Sequence, residues 1–195
     1  MLYVGLGTLA FFGLFALTAV DAGAAADDDK PIVVLETSMG PITIELDKSK
    51  APITVENFLK YVDAGFYDNL IFHRVMSGFM IQGGGVDDKM REKDTQGEIK
   101  SEASNGLKNV RGTIAMARKG NPNSATAQFF INLVDNSRNL GPGGVDAYGY
   151  TVFGKVTEGM ETVDKIAKVA TGQRGGHGDV PTQPVTIKSA KRKAT

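Results

Sequence analysis

Arg74 stands in an otherwise apolar run, Phe72-His73-Arg74-Val75-Met76, and Gln82 follows a second one, Phe79-Met80-Ile81. A guanidinium in such surroundings is costly if it is simply buried. It therefore either snorkels to water or is aimed at a group that needs a fork of donors. A second stretch has the same texture: Gly112-Thr113-Ile114-Ala115-Met116-Ala117-Arg118, then Asn123-Ser124-Ala125-Thr126-Ala127-Gln128-Phe129-Phe130-Ile131-Asn132. Together the two stretches offer Arg74, Gln82, Gln128 and an apolar wall of Phe79, Met80 and Phe130. His73 beside Arg74 invites a general-base reading. Adjacent strand residues point to opposite faces, however, which predicts His73 as a satisfied core histidine rather than a partner of Arg74. The chain has no G-x-S-x-G elbow and no clear Ser-His-Asp set. Neither key stretch carries a carboxylate. What remains suits a reaction in which no bond is cleaved.

The bulk composition narrows the classes further. A chain of 195 residues, 42% hydrophobic and 23% charged, reads as one globular domain with an appendage. Twenty-two basic residues balance 22 acidic ones, so no large field draws in nucleic acid. The absence of Cys excludes disulfides and thiolate chemistry, and with only two His a structural zinc site is not expected. Neither metal nor cofactor is expected.

The elements that must position these side chains are short. Pro31 to Glu36 and the alternating Ile42–Asp47 segment read as a hairpin around Ser38–Pro41. Ala51-Pro52-Ile53-Thr54 opens a helix with Thr54 as a candidate cap, ending at Ala64-Gly65. The Phe72–Gln82 stretch is strand, Ser77-Gly78 turn, strand. The Gly83-Gly84-Gly85 triplet reads as a crowded tight turn. Gly112 to Ala117, Ala127 to Val134 and Tyr150 to Val156 are strands. Asn136 to Gly149 and Gly172 to Pro184 are loops, Gly159 to Val169 is an amphipathic helix, and Val185 to Ile187 is a closing strand. Eight short strands and two helices are too few helices for βαβ alternation. An all-β-dominated fold is expected: a closed eight-stranded antiparallel β-barrel capped by two α-helices, which removes exposed sheet edges.

The two stretches, in this order, resemble the cyclophilins, a family of peptidyl-prolyl cis-trans isomerases, and the resemblance runs from Pro31 to Ala190. It implies the same barrel. It also implies roles position by position. Arg74 matches the catalytic Arg, and Gln82 the Gln that helps place that Arg and the substrate backbone. Phe79, Met80, Phe130 and Leu140 match the proline pocket. Ala117, Arg118 and Gln128 match the peptide groove. Tyr150 stands where many members have a pocket His and exported bacterial members commonly have Tyr. Asn139 aligns with the site of a Trp or Phe, whose indole in many members donates to cyclosporin, so one wall is altered. Phe72 and Val75 are read as ordinary barrel core.

The implied activity is rotation about X-Pro bonds in proline-containing unfolded polypeptides, by a chain expected to act as a monomer. A binding module or holdase on the same fold is the competing reading. Leu2 to Val20 is apolar apart from Thr and Gly, and Ala22-Gly23-Ala24-Ala25-Ala26 follows. This reads as a secretory signal over residues 1–26, cut after Ala26, ahead of a domain over residues 27–195. The run is also about long enough to span a bilayer as an uncleaved anchor, which is the one route to membrane association, although no Lys or Arg precedes it. Both readings export the domain, to the periplasm or the medium.

Overall fold

A computed structural model describes residues 1–2, 29–145 and 147–193, so the expected export signal lies outside the described residues. Among those described, no helix is long and apolar enough to cross a membrane. Ten strands form: β1 (Ile32–Thr37), β2 (Gly40–Leu46), β3 (Leu70–Met76), β4 (Met80–Asp87), β5 (Thr113–Met116), β6 (Phe129–Asn132), β7 (Val152–Glu158), β8 (Thr171–Arg174), β9 (His177–Pro181) and β10 (Thr186–Arg192). Three helices join them: α1 (Pro52–Asp63), α2 (Ser137–Leu140) and α3 (Met160–Ile166). Eight of the strands close an antiparallel barrel in the order β1-β10-β3-β4-β6-β5-β7-β2, as expected. Every strand is paired on both sides, so no barrel edge is left open.

Alternation along the strands sorts side chains between two apolar clusters. In β6, Phe129 and Ile131 point into the barrel while Phe130 points out. In β4, Ile81 points in and Met80 out; in β5, Ile114 and Met116 point in and Ala115 out. The inner cluster is filled by rings: Phe58 of α1 lies 5.2 Å from Tyr67 and from Phe153, and 5.7 Å from Phe129. Val163 and Ile166 of α3 join the same core. Burying these side chains is worth about 1.5–3 kcal/mol each, which is what holds the short strands together. The outer cluster is Met80, Ala115, Phe130, Leu140 and Val152, and three of its members, Met80, Phe130 and Leu140, line the site described below.

Five local expectations need correction. Thr54 does not cap α1; the helix starts at Pro52, and Thr54 Oγ1 donates to Glu102 at 2.7 Å. The Glu102 carboxylate also accepts from the Ile53 and Thr54 N–H groups, so a distant loop caps the helix. The glycine triplet lies within β4 rather than in a turn. It is crowded as expected: a Cβ on Gly84, at φ 80°, would stand 2.9 Å from Tyr67, and one on Gly85 would strike the Gln128 side chain. The segment expected as a loop over 172–184 contains the β8–β9 hairpin, turned by Gly175 and Gly176, both at positive φ. Two consecutive glycines with positive φ make the primed two-residue turn that matches strand twist. A single helical turn, α2, interrupts the loop expected over 136–149, while α1 and α3 are the two helices expected.

The fifth correction concerns His73. A register shift between Phe72 and Arg74 marks a β-bulge in β3: Phe72 faces Gly83 and Arg74 faces Gln82, which leaves His73 as the extra residue. Strict alternation therefore fails there. Phe72 and Val75 both enter the core, although they are three residues apart. His73 and Arg74, expected on opposite faces, line one cavity together.

Candidate active site

The expected site residues come together on the outer face of β3, β4, β6 and β5. Arg74, Phe79, Met80, Gln82, Ala117, Arg118, Phe130, Leu140 and Tyr150 line a single cavity of about 230 Å³. Drug-sized sites run to roughly 300–1,000 Å³, so this volume suits one small side chain. Gln128 lies just outside it, lining an adjoining cavity of about 110 Å³ with Gln82, Ala117 and Arg118. Gln82 Nε2 donates to Gln128 Oε1 at 2.9 Å across β4 and the approach to β6.

Antiparallel register builds the strand side of the cavity. Arg74 pairs with Gln82, Gln82 with Phe130, and Phe130 with Ala115, so four neighbouring strands present these residues in one row. Arg74 is half-buried, and its guanidinium makes no hydrogen bond or ion pair with another described residue. An arginine left unpaired among Phe79, Met80 and Phe130 keeps its donors for a ligand. Gln82, expected to help place Arg74, gives its amide N–H to Gln128 instead; it supports Arg74 through strand pairing.

The other side is built from loops. Tyr150 meets Phe130 edge-on with ring centroids 5.7 Å apart. Arg118 lies over the Tyr150 ring, 4.5 Å from its centroid, and donates to the Gly149 carbonyl through Nε at 3.1 Å and Nη2 at 2.9 Å. It also donates to the Lys119 carbonyl at 2.9 Å. Arg118, expected as a groove residue, thus clamps the wall as well as lining it. Asn139, at the position of the altered wall, is exposed on α2 beside buried Leu140.

Sequence reasoning missed three buried asparagines that hold this loop side. Asn136 Nδ2 donates to the Phe79 carbonyl at 2.9 Å and to Asn132 Oδ1 at 2.8 Å. Asn132 Nδ2 donates to Asn109 Oδ1 at 3.1 Å and to Thr113 Oγ1 at 3.0 Å. Asn109 Nδ2 in turn donates to the carbonyls of Leu140 at 3.2 Å and Tyr150 at 3.3 Å. The chain of amides ties the backbones of Phe79, Leu140 and Tyr150 to the barrel. Asn132, next to the apolar run Phe129-Phe130-Ile131, was the one visible signal: a buried amide there needs partners.

His73 is buried behind Arg74 and its Nδ1 has no hydrogen-bond partner. Burial pushes its pKa down to about 4, helped by His177 and Arg74, while the Ile71 carbonyl and the Gln128 amide oppose the shift. It is neutral at physiological pH, and it is not the satisfied core histidine expected.

A sequence model of the cyclophilin type peptidyl-prolyl cis-trans isomerase/CLD family matches residues 32–192. The chain is 55% identical over 159 residues to peptidyl-prolyl cis-trans isomerase B of Escherichia coli (strain K12), covering 81% of this chain and 97% of that one. It is 50% identical over 178 residues to peptidyl-prolyl cis-trans isomerase A of Dickeya dadantii (strain 3937), covering 91% and 92%. The fold is similar to the crystal structure of a Cryptosporidium parvum cyclophilin type peptidyl-prolyl cis-trans isomerase. The TM-score is 0.70 at 28% identity, over 85% of this chain and 99% of the other.

Proposed function

This chain belongs to the cyclophilin-type peptidyl-prolyl cis-trans isomerases, and we propose from that premise that it turns X-Pro bonds of exported polypeptides as they fold. Its substrates are proline-containing peptides. Rotating such a bond passes a barrier of roughly 18–20 kcal/mol, so uncatalysed exchange takes tens to hundreds of seconds. Midway, amide conjugation is lost and the proline nitrogen regains a lone pair. The Arg74 guanidinium donates to that nitrogen. Phe79, Met80, Phe130 and Leu140 hold the ring while the acyl side turns, and Gln82, Ala117, Arg118, Gln128 and Tyr150 bound the groove for the rest of the peptide. The same apolar wall excludes water that stabilises the planar, dipolar amide. A donor fixed in advance acts on charge that develops only in the transition state, which is where binding energy becomes rate. No bond is made or broken, and the residues need no cofactor.

The observation that carries this reading is an arginine with its donors unpaired at the edge of a cavity sized for one side chain. A holdase would need the apolar wall but not that fork. The test is exchange of a short Ala-Pro peptide followed by NMR on the domain spanning residues 27–195, run beside an aggregation assay. Catalysed exchange is expected. Suppressed aggregation without catalysed exchange would replace this reading with the holdase.

Export rests on residues 1–26, which combine an apolar run with a small-residue cleavage pattern. The mature domain then starts near Asp27 and works in the periplasm or the medium as a monomer. Mass spectrometry of the native protein should find that N-terminus. A full-length species recovered only with membranes would make residues 1–26 an anchor.

A further inference from the structure

A second cavity, of about 500 Å³, shares Arg74 and Gln82 with the proline pocket and extends away from it. Its far rim is the β8–β9 hairpin, which contributes His177 and Asp179. Glu92, on the segment after β4, stands on the near rim. A peptide whose proline sits against Arg74 carries its flanking residues past the pocket, and a cavity that shares Arg74 and Gln82 lies within their reach.

The lining has a definite preference. The Glu92 and Asp179 side chains are exposed and form no hydrogen bond or ion pair with another described residue. They come from elements more than 80 residues apart in sequence, so their pairing on one cavity is a product of the fold. His73 lines the same cavity, 6% exposed, with Nδ1 buried and unpartnered. Burial keeps that imidazole neutral. Two exposed carboxylates on one cavity ask for a donor, preferably a cation, and the neutral His73 adds no positive charge to oppose one. Arg74 is the opposing charge, and the mechanism turns it toward the proline nitrogen; His177 is the remaining titratable side chain on the rim. Among the described residues no group of three His, Cys, Asp or Glu is arranged to hold a metal ion.

We infer that this cavity is a subsite for a flanking residue, and that it takes the side chain of a lysine or arginine close to the substrate proline. The inference rests on the isomerase reading above. It makes Glu92 and Asp179 specificity residues and gives the β8–β9 hairpin a function.

The test is a set of six-residue peptides with one proline, carrying Lys, Glu or Ala at each position within three residues of it on either side. Turnover is read by NMR exchange at low salt, with wild-type protein and the Glu92→Gln/Asp179→Asn double variant. Asn is chosen at 179 because the position has φ 58°, which Asn tolerates. On one side of the proline, Lys should be favoured over Glu in kcat/KM by about three- to tenfold, the scale of two exposed charge pairs. The ratio should fall below about twofold in the double variant, and likewise in wild type at high salt. In the wild type, the His73 imidazole nitrogen resonance should move on binding the Lys peptide and not the Glu peptide. A ratio near one at every position, or a ratio unchanged in the double variant, would overturn the subsite. Loss of turnover on all peptides, Ala included, would instead overturn the isomerase reading beneath it.

Discussion

The two walls of the candidate site are built by different means. On one side Arg74, Gln82, Phe130 and Ala115 stand in a row because β3, β4, β6 and β5 pair in register. On the other, Leu140, Gly149 and Tyr150 lie outside the strands; side-chain hydrogen bonds from Asn109 and Arg118 and the backbone bonds Leu140 N–H to Asn136 and Tyr150 N–H to Leu140 hold them. On the proposed reading the strand wall carries the donor and the rigid floor, where displacement would cost rate. The loop wall carries shape, where change alters which ligand fits. Substitutions on the two sides should therefore fail differently: strand-wall changes in turnover and global stability, loop-wall changes in KM and ligand choice.

The largest effect should come from behind the strand wall. His73 is neutral when folded down to about pH 4 but titrates near 6.5 when unfolded. Between those values the unfolded chain takes up a proton that the native state refuses. Stability should thus fall as pH drops from about 6.5 to about 4, by roughly 3 kcal/mol. Urea unfolding at pH 7 and pH 4.5 should show this loss in the wild type and a shallower one in His73→Gln, whose carboxylates are otherwise the same. Equal slopes would mean that the bulge does not bury His73 as described.

Next in size is the amide chain that joins the walls. Asn109→Ala removes donors to Leu140 and Tyr150 and takes an acceptor from Asn132. A cost of about 2 kcal/mol is expected, together with a raised KM while kcat is largely kept. A drop in kcat at constant KM would break the division of labour between the walls.

These two predictions also mark what the sequence could and could not reveal. Of the ten candidate site residues, six stand out in the residue pattern itself and four come only from the family resemblance; nine of the ten line one cavity. The bulge at His73 was not legible, because the apolar run Phe72–Met76 looks the same with or without an inserted residue. Nor were the roles of Asn109 and Asn136: an asparagine in a loop reads as turn chemistry, and only three-dimensional closure shows it buried and bonded. The β8–β9 hairpin was hidden by its lack of apolar residues, although Gly175-Gly176 was a usable turn signal.

Smaller effects should probe the loop wall alone. Asn139 offers little apolar area at the aligned Trp or Phe position and is exposed beside Leu140. Cyclosporin should bind about 10²-fold more weakly than to members with the Trp, on the scale of a lost ring contact and indole hydrogen bond. Asn139→Trp should regain about tenfold of that by calorimetry. Nanomolar binding by the unmodified protein would show that this wall is not where the affinity lies. Smallest of all, Arg118→Ala removes two hydrogen bonds to the Gly149 carbonyl and uncovers Tyr150. KM for Ala-Pro peptides should rise about three- to fivefold with the unfolding midpoint unchanged, and Arg118→Lys should restore little because it lacks the planar fork. A lower midpoint with normal KM would make the clamp purely structural.

The central claim is that an uncommitted guanidinium on the strand wall meets the proline nitrogen as the bond turns. The most direct measurement is exchange of an Ala-Pro peptide by NMR with Arg74→Ala, alongside urea unfolding of the same variant. Turnover should fall by about 10²-fold or more, the scale for losing one transition-state donor, while the unfolding midpoint stays near that of the wild type because Arg74 has no hydrogen-bonded partner among the described residues to abandon. Near-wild-type turnover in a folded Arg74→Ala protein would contradict the account.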